Sequence, residues 1–242
     1  MKTVATFFTL FFAVIFTQNS LPADETEHPT PYRSLDEYTI QDILGWQIYL
    51  ERDLREDTEL CEKTLKLLEI RLYEITLNIP PEALEKIRTV KIWVEKKDPV
   101  NAMACYHPDP GWLRNHGVLV EKAGCVEISN AQGFLNIARQ QPMVVLHELS
   151  HGYHHQFLEG GYENPEIREA WQAAKDAGIY ENVLHNSGRR QSAYCMTTPM
   201  EYFAELTECY FGENDFYPFV RPELKEHDPR GYELLRKLWG IK

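Results

Sequence analysis

Four histidines and a glutamate fall within residues 144–155, VVLHELSHGYHH, of a chain with nine histidines in 242 residues. No other stretch restricts the fold as much. His147, Glu148 and His151 stand as H-E-x-x-H, and only a helix brings the two imidazoles together. At 3.6 residues per turn they lie about 40° apart around the axis and one turn apart along it, so both can reach a single ion. Glu148 is rotated by about 100° from His147, beside such an ion rather than on it. There it can take a proton from a bound water, and the set as a whole has the parts of a water-activating Zn²⁺ site. The run PMVVL makes one face of this helix apolar, so burial is expected, with Pro142 in the first turn. A buried polar pair without a partner is costly, which favours a ligand over a solvent-wetted histidine face.

Two imidazoles are too few, because a catalytic zinc takes three protein ligands and keeps one position open. His155 continues the line of His147 and His151, but about 12 Å of helix rise separates it from His147, too far to share one ion. His154 and His155 are therefore expected to be solvated or to support the site from outside. Among downstream acids, Glu163, Glu166 and Glu169 read as the exposed first turn of a surface helix. Glu201 and Glu205 of TTPMEYFAELTECYFG are better candidates, standing together on one face of a helix capped by Thr198 and begun by Pro199. The plainer alternative is that Thr198-x-x-Glu201 is a capping box and that Glu205 and Glu208 form a wet face. Spacing alone leaves the two open.

HELSH followed about fifty residues later by EYFAE, with SAY just ahead, resembles the catalytic domain of anthrax lethal factor and the secreted Pro-Pro endopeptidases. These are gluzincin metallopeptidases with a zincin-like fold. The resemblance spans roughly residues 90–212 and is carried by these short motifs. It implies that Glu201 is the third zinc ligand, that Glu205 supports the site from outside the ligand sphere, and that Tyr194 assists at the reaction centre. The plain role for Tyr194 is a buried aromatic with its hydroxyl on a backbone carbonyl. His154, His155 and the two cysteines flanking the EYFAE helix, Cys195 and Cys209, depart from the family pattern.

Composition bounds the remaining possibilities. A net charge of −12 argues against nucleic acid or anionic membrane as a partner held by a basic field, and leaves peptides open. Lys2 followed by the apolar run Val4–Phe16 has the layout of a secretory signal peptide, expected over residues 1–23, and the run is too short to span a bilayer. The expected location is extracellular, with no membrane contact once the signal is cleaved. Export permits disulfides, and Cys105 and Cys125 sit in neighbouring strand-like runs that such a bond could bridge.

The chain reads as helices, then a small mixed sheet, then helices, an α+β arrangement. Residues 24–88 are expected to form a linker and N-terminal helices, including SLDEYTIQDILGWQIYLERDL, TELCEKTLKLLEIRLYEITLNI and PPEALEKIR. Residues 89–242 are expected to form the metallopeptidase domain, with strands in TVKIWVE, AMACYH, GVLVEK and CVEISN. Helices are expected near 131–139, 142–158, 164–178, 199–212 and 231–239. The function expected is peptide-bond hydrolysis by a zinc-dependent endopeptidase with Glu148 as general base. Its substrate peptide is expected to pair with an exposed edge at 124–130. The alternative is a zinc-binding module on the same scaffold without turnover.

Overall fold

The computed structural model describes residues 28–241, so the expected leader lies outside the described residues. The sheet is mixed and five-stranded. Its strands are β1 (Tyr38–Ile43), β2 (Trp46–Glu51), β3 (Ile92–Val94), β4 (Ala104–Tyr106) and β5 (Val126–Ile128), in the order β1-β2-β3-β5-β4. The β2–β3 and β3–β5 pairs are parallel, whereas β1 and β4 run antiparallel to their neighbours. Helices α1 (Arg52–Glu56), α2 (Thr58–Asn78) and α3 (Pro81–Ile87) connect β2 to β3, and α4 (Pro110–Asn115) follows β4. After β5 come α5 (Ala131–Ile137), α6 (Val144–Phe157) and α7 (Pro165–Asp176), then a small hairpin, β6 (Val183–Leu184) and β7 (Arg190–Gln191). The last elements are α8 (Pro199–Phe211), α9 (Arg221–His227) and α10 (Pro229–Leu238). The molecule is thus α+β with a small mixed sheet, and among the described residues no helix is long and apolar enough to cross a membrane.

Two expected elements are replaced. After a 3-10 turn at Leu35–Glu37, the segment 38–51 is a hairpin rather than a helix, with Ile43 paired to Trp46 across a two-residue turn. Leu44 and Gly45 both take positive φ, 54° and 93°, the backbone that suits the right-handed twist of a hairpin. Tyr, Thr, Ile and Trp on either side favour the pleated surface over the helix. Residues on both sides of position 88 therefore build one sheet, because β2 bonds β3. The run GVLVEK is not a strand either. Leu119 lies over the far face of the sheet with Tyr38, Tyr49 and Trp93, and a single 3-10 turn at Val120–Lys122 drives the lysine inward.

The sheet's two faces differ in chemistry. On one, Ile48, Leu50, Ile92, Val94, Val126 and Ile128 join Leu68, Leu72 and Ile75 of α2 and Val145, Leu146 and Leu149 of α6 in a single core. Gly152 sets how closely α6 lies on the sheet, since a Cβ there would stand 3.1 Å from Val90 and 3.3 Å from Tyr106. On the other face Tyr49 stacks on Trp93 at 4.2 Å beside a buried ionic lattice. Lys122, fully buried, pairs with both Glu95 and Glu127. His107 bonds Glu127 at 2.6 Å, the Tyr38 hydroxyl donates to Glu95, and Tyr32 donates to Asp98 at 2.5 Å.

All five cysteines are free thiols, so the expected Cys105–Cys125 bridge is not formed. The two stand diagonally across β4 and β5, where Cys105 faces Glu127 and meets His107, while the Cys125 thiol turns to the carbonyls of Glu121 and Ala123.

Removing Lys122 would leave Glu127 and Glu95 buried against each other, with only Arg33, 3.7 Å from Glu95 Oε2, as a neighbouring guanidinium or ammonium cation. Lys122→Ala is expected to lower the free energy of urea unfolding by about 3–5 kcal/mol, as for a broken buried pair. A loss under 1 kcal/mol would show that Glu95 and Glu127 are not left as stranded charges without Lys122.

Candidate metal centre

The site lies where α6 meets α8. Both helices are buried along almost their whole length, and only a small part of Glu201, His147 and His151 is left exposed at the site. His147 and His151 project from α6 as the H-E-x-x-H spacing requires. Glu201 projects from the first turn of α8, which Thr198 caps by accepting the Glu201 amide at 3.2 Å. The Glu201 carboxylate does not turn back to the cap. Its Oε2 lies 3.1 Å from His147 Nε2 and 3.3 Å from His151 Nε2, and the two Nε2 atoms are 3.1 Å apart. Three atoms with lone pairs thus form a nearly equilateral triangle. Ligands 2.0–2.2 Å from a tetrahedral zinc stand about 3.3 Å from one another, so the donor set fits that ion in kind and in spacing.

Electrostatics agree with a positive charge at this place. Burial pushes the Glu201 carboxyl up, but the neighbouring charge of His151 and hydrogen bonds from both histidines outweigh it and hold it well below the usual range. Burial opposes a charge on His147, yet hydrogen bonds to Glu201 and Glu208 overcome it and raise that imidazole well above its ordinary value. A proton and a metal ion compete for the same position.

Glu148 is buried beside the triangle and does not belong to it. Tyr194 sits on the 3-10 turn ahead of α8 and hydrogen-bonds Glu201. Burial, then the charges of Glu201 and Glu148, push its pKa up, so the hydroxyl keeps its proton. Tyr162, which the sequence did not single out, feels the same two carboxylates and packs on the rings of His154 and His155.

Other expectations change. The wet face, one of the two readings that spacing leaves open for Glu205 and Glu208, is not formed: Glu205 is buried with its Oε1 3.9 Å from His147 Nδ1, and Glu208 is buried and reaches that nitrogen at 2.6 Å. His154 is not solvated; it is fully buried between the rings of Tyr162 and Phe203. His155 is held by the Tyr106 hydroxyl at 2.9 Å. Glu163, Glu166 and Glu169 are at the surface as their spacing implies, engaging Arg168, Lys237 and Arg230 away from the histidines. The expected substrate edge at 124–130 is interior, since β5 lies between β3 and β4, and β4 is the edge.

A second cluster, Cys105, His107 and Glu127, also gathers ligand atoms. Its 2.6 Å His107–Glu127 contact is a hydrogen bond rather than an edge of a coordination sphere, and Lys122 already supplies the cation. No protein-family model, curated protein or solved structure matches the chain.

Burial depresses the pKa of His154 to about 3. From about 6.5 downward the unfolded chain takes up a proton that the folded one refuses, so stability is full above about 6.5 and is lost toward 3 at up to ~1.4 kcal/mol per pH unit. Compared with the wild type, His154→Phe is expected to flatten the fall in urea-measured stability between pH 6.5 and 4. Parallel curves for the two proteins would refute this.

Proposed function

We propose that the chain is a secreted zinc-dependent endopeptidase with a zincin-like fold, similar in its centre to the lethal-factor catalytic domain and the Pro-Pro endopeptidases. The observation that carries this reading is the convergence of His147, His151 and Glu201 from two separate helices, with Glu148 left unshared beside them. A mixed sheet laid on the motif helix, with an antiparallel edge strand nearby, supports the same fold.

His147, His151 and Glu201 would hold Zn²⁺, which when bound would supply Lewis-acid polarisation of a peptide carbonyl and a lowered pKa, toward about 7, for a water. Glu148 takes the proton of the attacking water and later delivers it to the leaving amine. The Tyr194 hydroxyl, kept protonated by its surroundings, donates to the oxyanion of the tetrahedral species. Along β4, Met103 and His107 bond toward β5, so by antiparallel alternation the backbone groups of Ala104 and Tyr106 point outward. An extended peptide adds there as a further strand. The net charge of −12 favours a peptide over nucleic acid as the partner.

One observation favours a second reading, a binding module without turnover. A protonated His147 satisfies Glu201 and Glu208 by itself, with no ion. Metal analysis and cleavage of a peptide library by protein beginning near residue 24, with and without a chelator, separate the two. The wild type is expected to hold one zinc and cleave, and Glu148→Gln to keep the zinc while losing roughly 10²–10⁴-fold in turnover. Full activity in that variant, or in chelated protein, sinks the mechanism; zinc without turnover points to the binding module.

A further inference from the structure

The two histidines of the centre are held differently at their second nitrogens. His151 Nδ1 is buried without a hydrogen-bond partner. His147 Nδ1 lies 2.6 Å from Glu208 Oε1, well inside hydrogen-bond reach, and 3.9 Å from Glu205 Oε1, outside it. Glu205 Oε2 is itself buried with no partner. Helix geometry explains the choice. Residues 201 and 208 are seven apart, two turns that return within about 20° of the same line, whereas 205 is rotated by about 40°. The His147 ring is therefore gripped on opposite edges by Glu201 at Nε2 and Glu208 at Nδ1.

We infer that Glu208, and not Glu205, is the positioning residue of this centre. Its carboxylate accepts the Nδ1–H of His147 and so fixes the tautomer that leaves the Nε2 lone pair facing His151 and Glu201. Glu205 fills the space between the two working glutamates without bonding the ring. Because His151 has no such brace, the orientation of the centre depends on this single contact. The inference rests on the metal-site reading and adds a residue to it that the EYFAE motif does not contain.

The test is zinc affinity by chelator competition, with side-chain ¹⁵N spectra of histidine-labelled, zinc-loaded protein. Glu208→Ala is expected to weaken zinc binding by roughly 10–100-fold, the usual effect of losing such a partner, and to lose the protected Nδ1–H signal of His147. Glu208→Gln preserves side-chain volume and guards against a folding artefact; it is expected to fall between Glu208→Ala and the wild type. Glu205→Gln is expected to stay within about 3-fold of the wild type and keep the signal, since it removes no hydrogen bond to the ring. A general packing defect would change the unfolding midpoint without moving the ¹⁵N pattern.

Wild-type zinc affinity in both Glu208 variants, or a larger loss in Glu205→Gln than in either, overturns the inference while leaving the metal site intact. If the wild type binds zinc no better than His147→Ala, the metal-site reading itself falls, and the role of Glu208 with it.

Discussion

The centre depends on the packing of α6 against α8. Neither helix supplies a complete set of ligands, and each brings groups that are costly to bury unless the other answers them. His147 is the residue on which both demands meet, since Glu201 and Glu208 approach its two nitrogens from one helix while His151 faces it from its own. The surrounding structure keeps that meeting in place. Trp239, at the end of α10, stacks on Tyr153 of α6 and donates its indole N–H to Thr207 of α8 at 3.1 Å, fastening the two helices from behind. Asp228 accepts from Tyr202 of α8 at 2.6 Å while capping α10, which ties the C-terminal helices to the same helix. The tail after Phe211 is thus part of what holds the candidate ligands.

The sheet shows a different economy. One face is an ordinary apolar layer, and the other buries charges that no hydrophobic count would anticipate. Lys122 satisfies Glu127 on β5 and Glu95 just past the end of β3, and Tyr38, Tyr32 and His107 bond the same two carboxylates. Such a lattice adds little to stability compared with apolar packing of the same volume, but it penalises any alternative pairing that strands a charge.

Much of this was legible in the sequence where the signal was long and periodic. The helices at 58–78, 144–157 and 199–211 follow from their apolar spacing, and the H-E-x-x-H geometry follows from the pitch of the helix alone. The hairpin at 38–51 was not legible, because Tyr38, Ile40, Ile43, Trp46 and Leu50 suit either period and only Gly45 hints at the turn. Lys122 hid the fate of GVLVEK, since a lysine normally marks a strand's solvent end rather than its deepest point. Glu201, Glu205 and Glu208 form one stripe, and sequence cannot say whether such a stripe faces water or another helix. That depends on what lies opposite, here His147, more than forty residues away.

Gly152 follows His151 directly and touches no ligand, yet it lets α6 settle against Val90 and Tyr106. A methyl group added at 152 has to be taken away at 90, or the helix lifts off the sheet and carries its imidazole with it. Under mutation the two positions act as one unit, so exchanges at a valine outside the candidate site are constrained by a histidine it never meets.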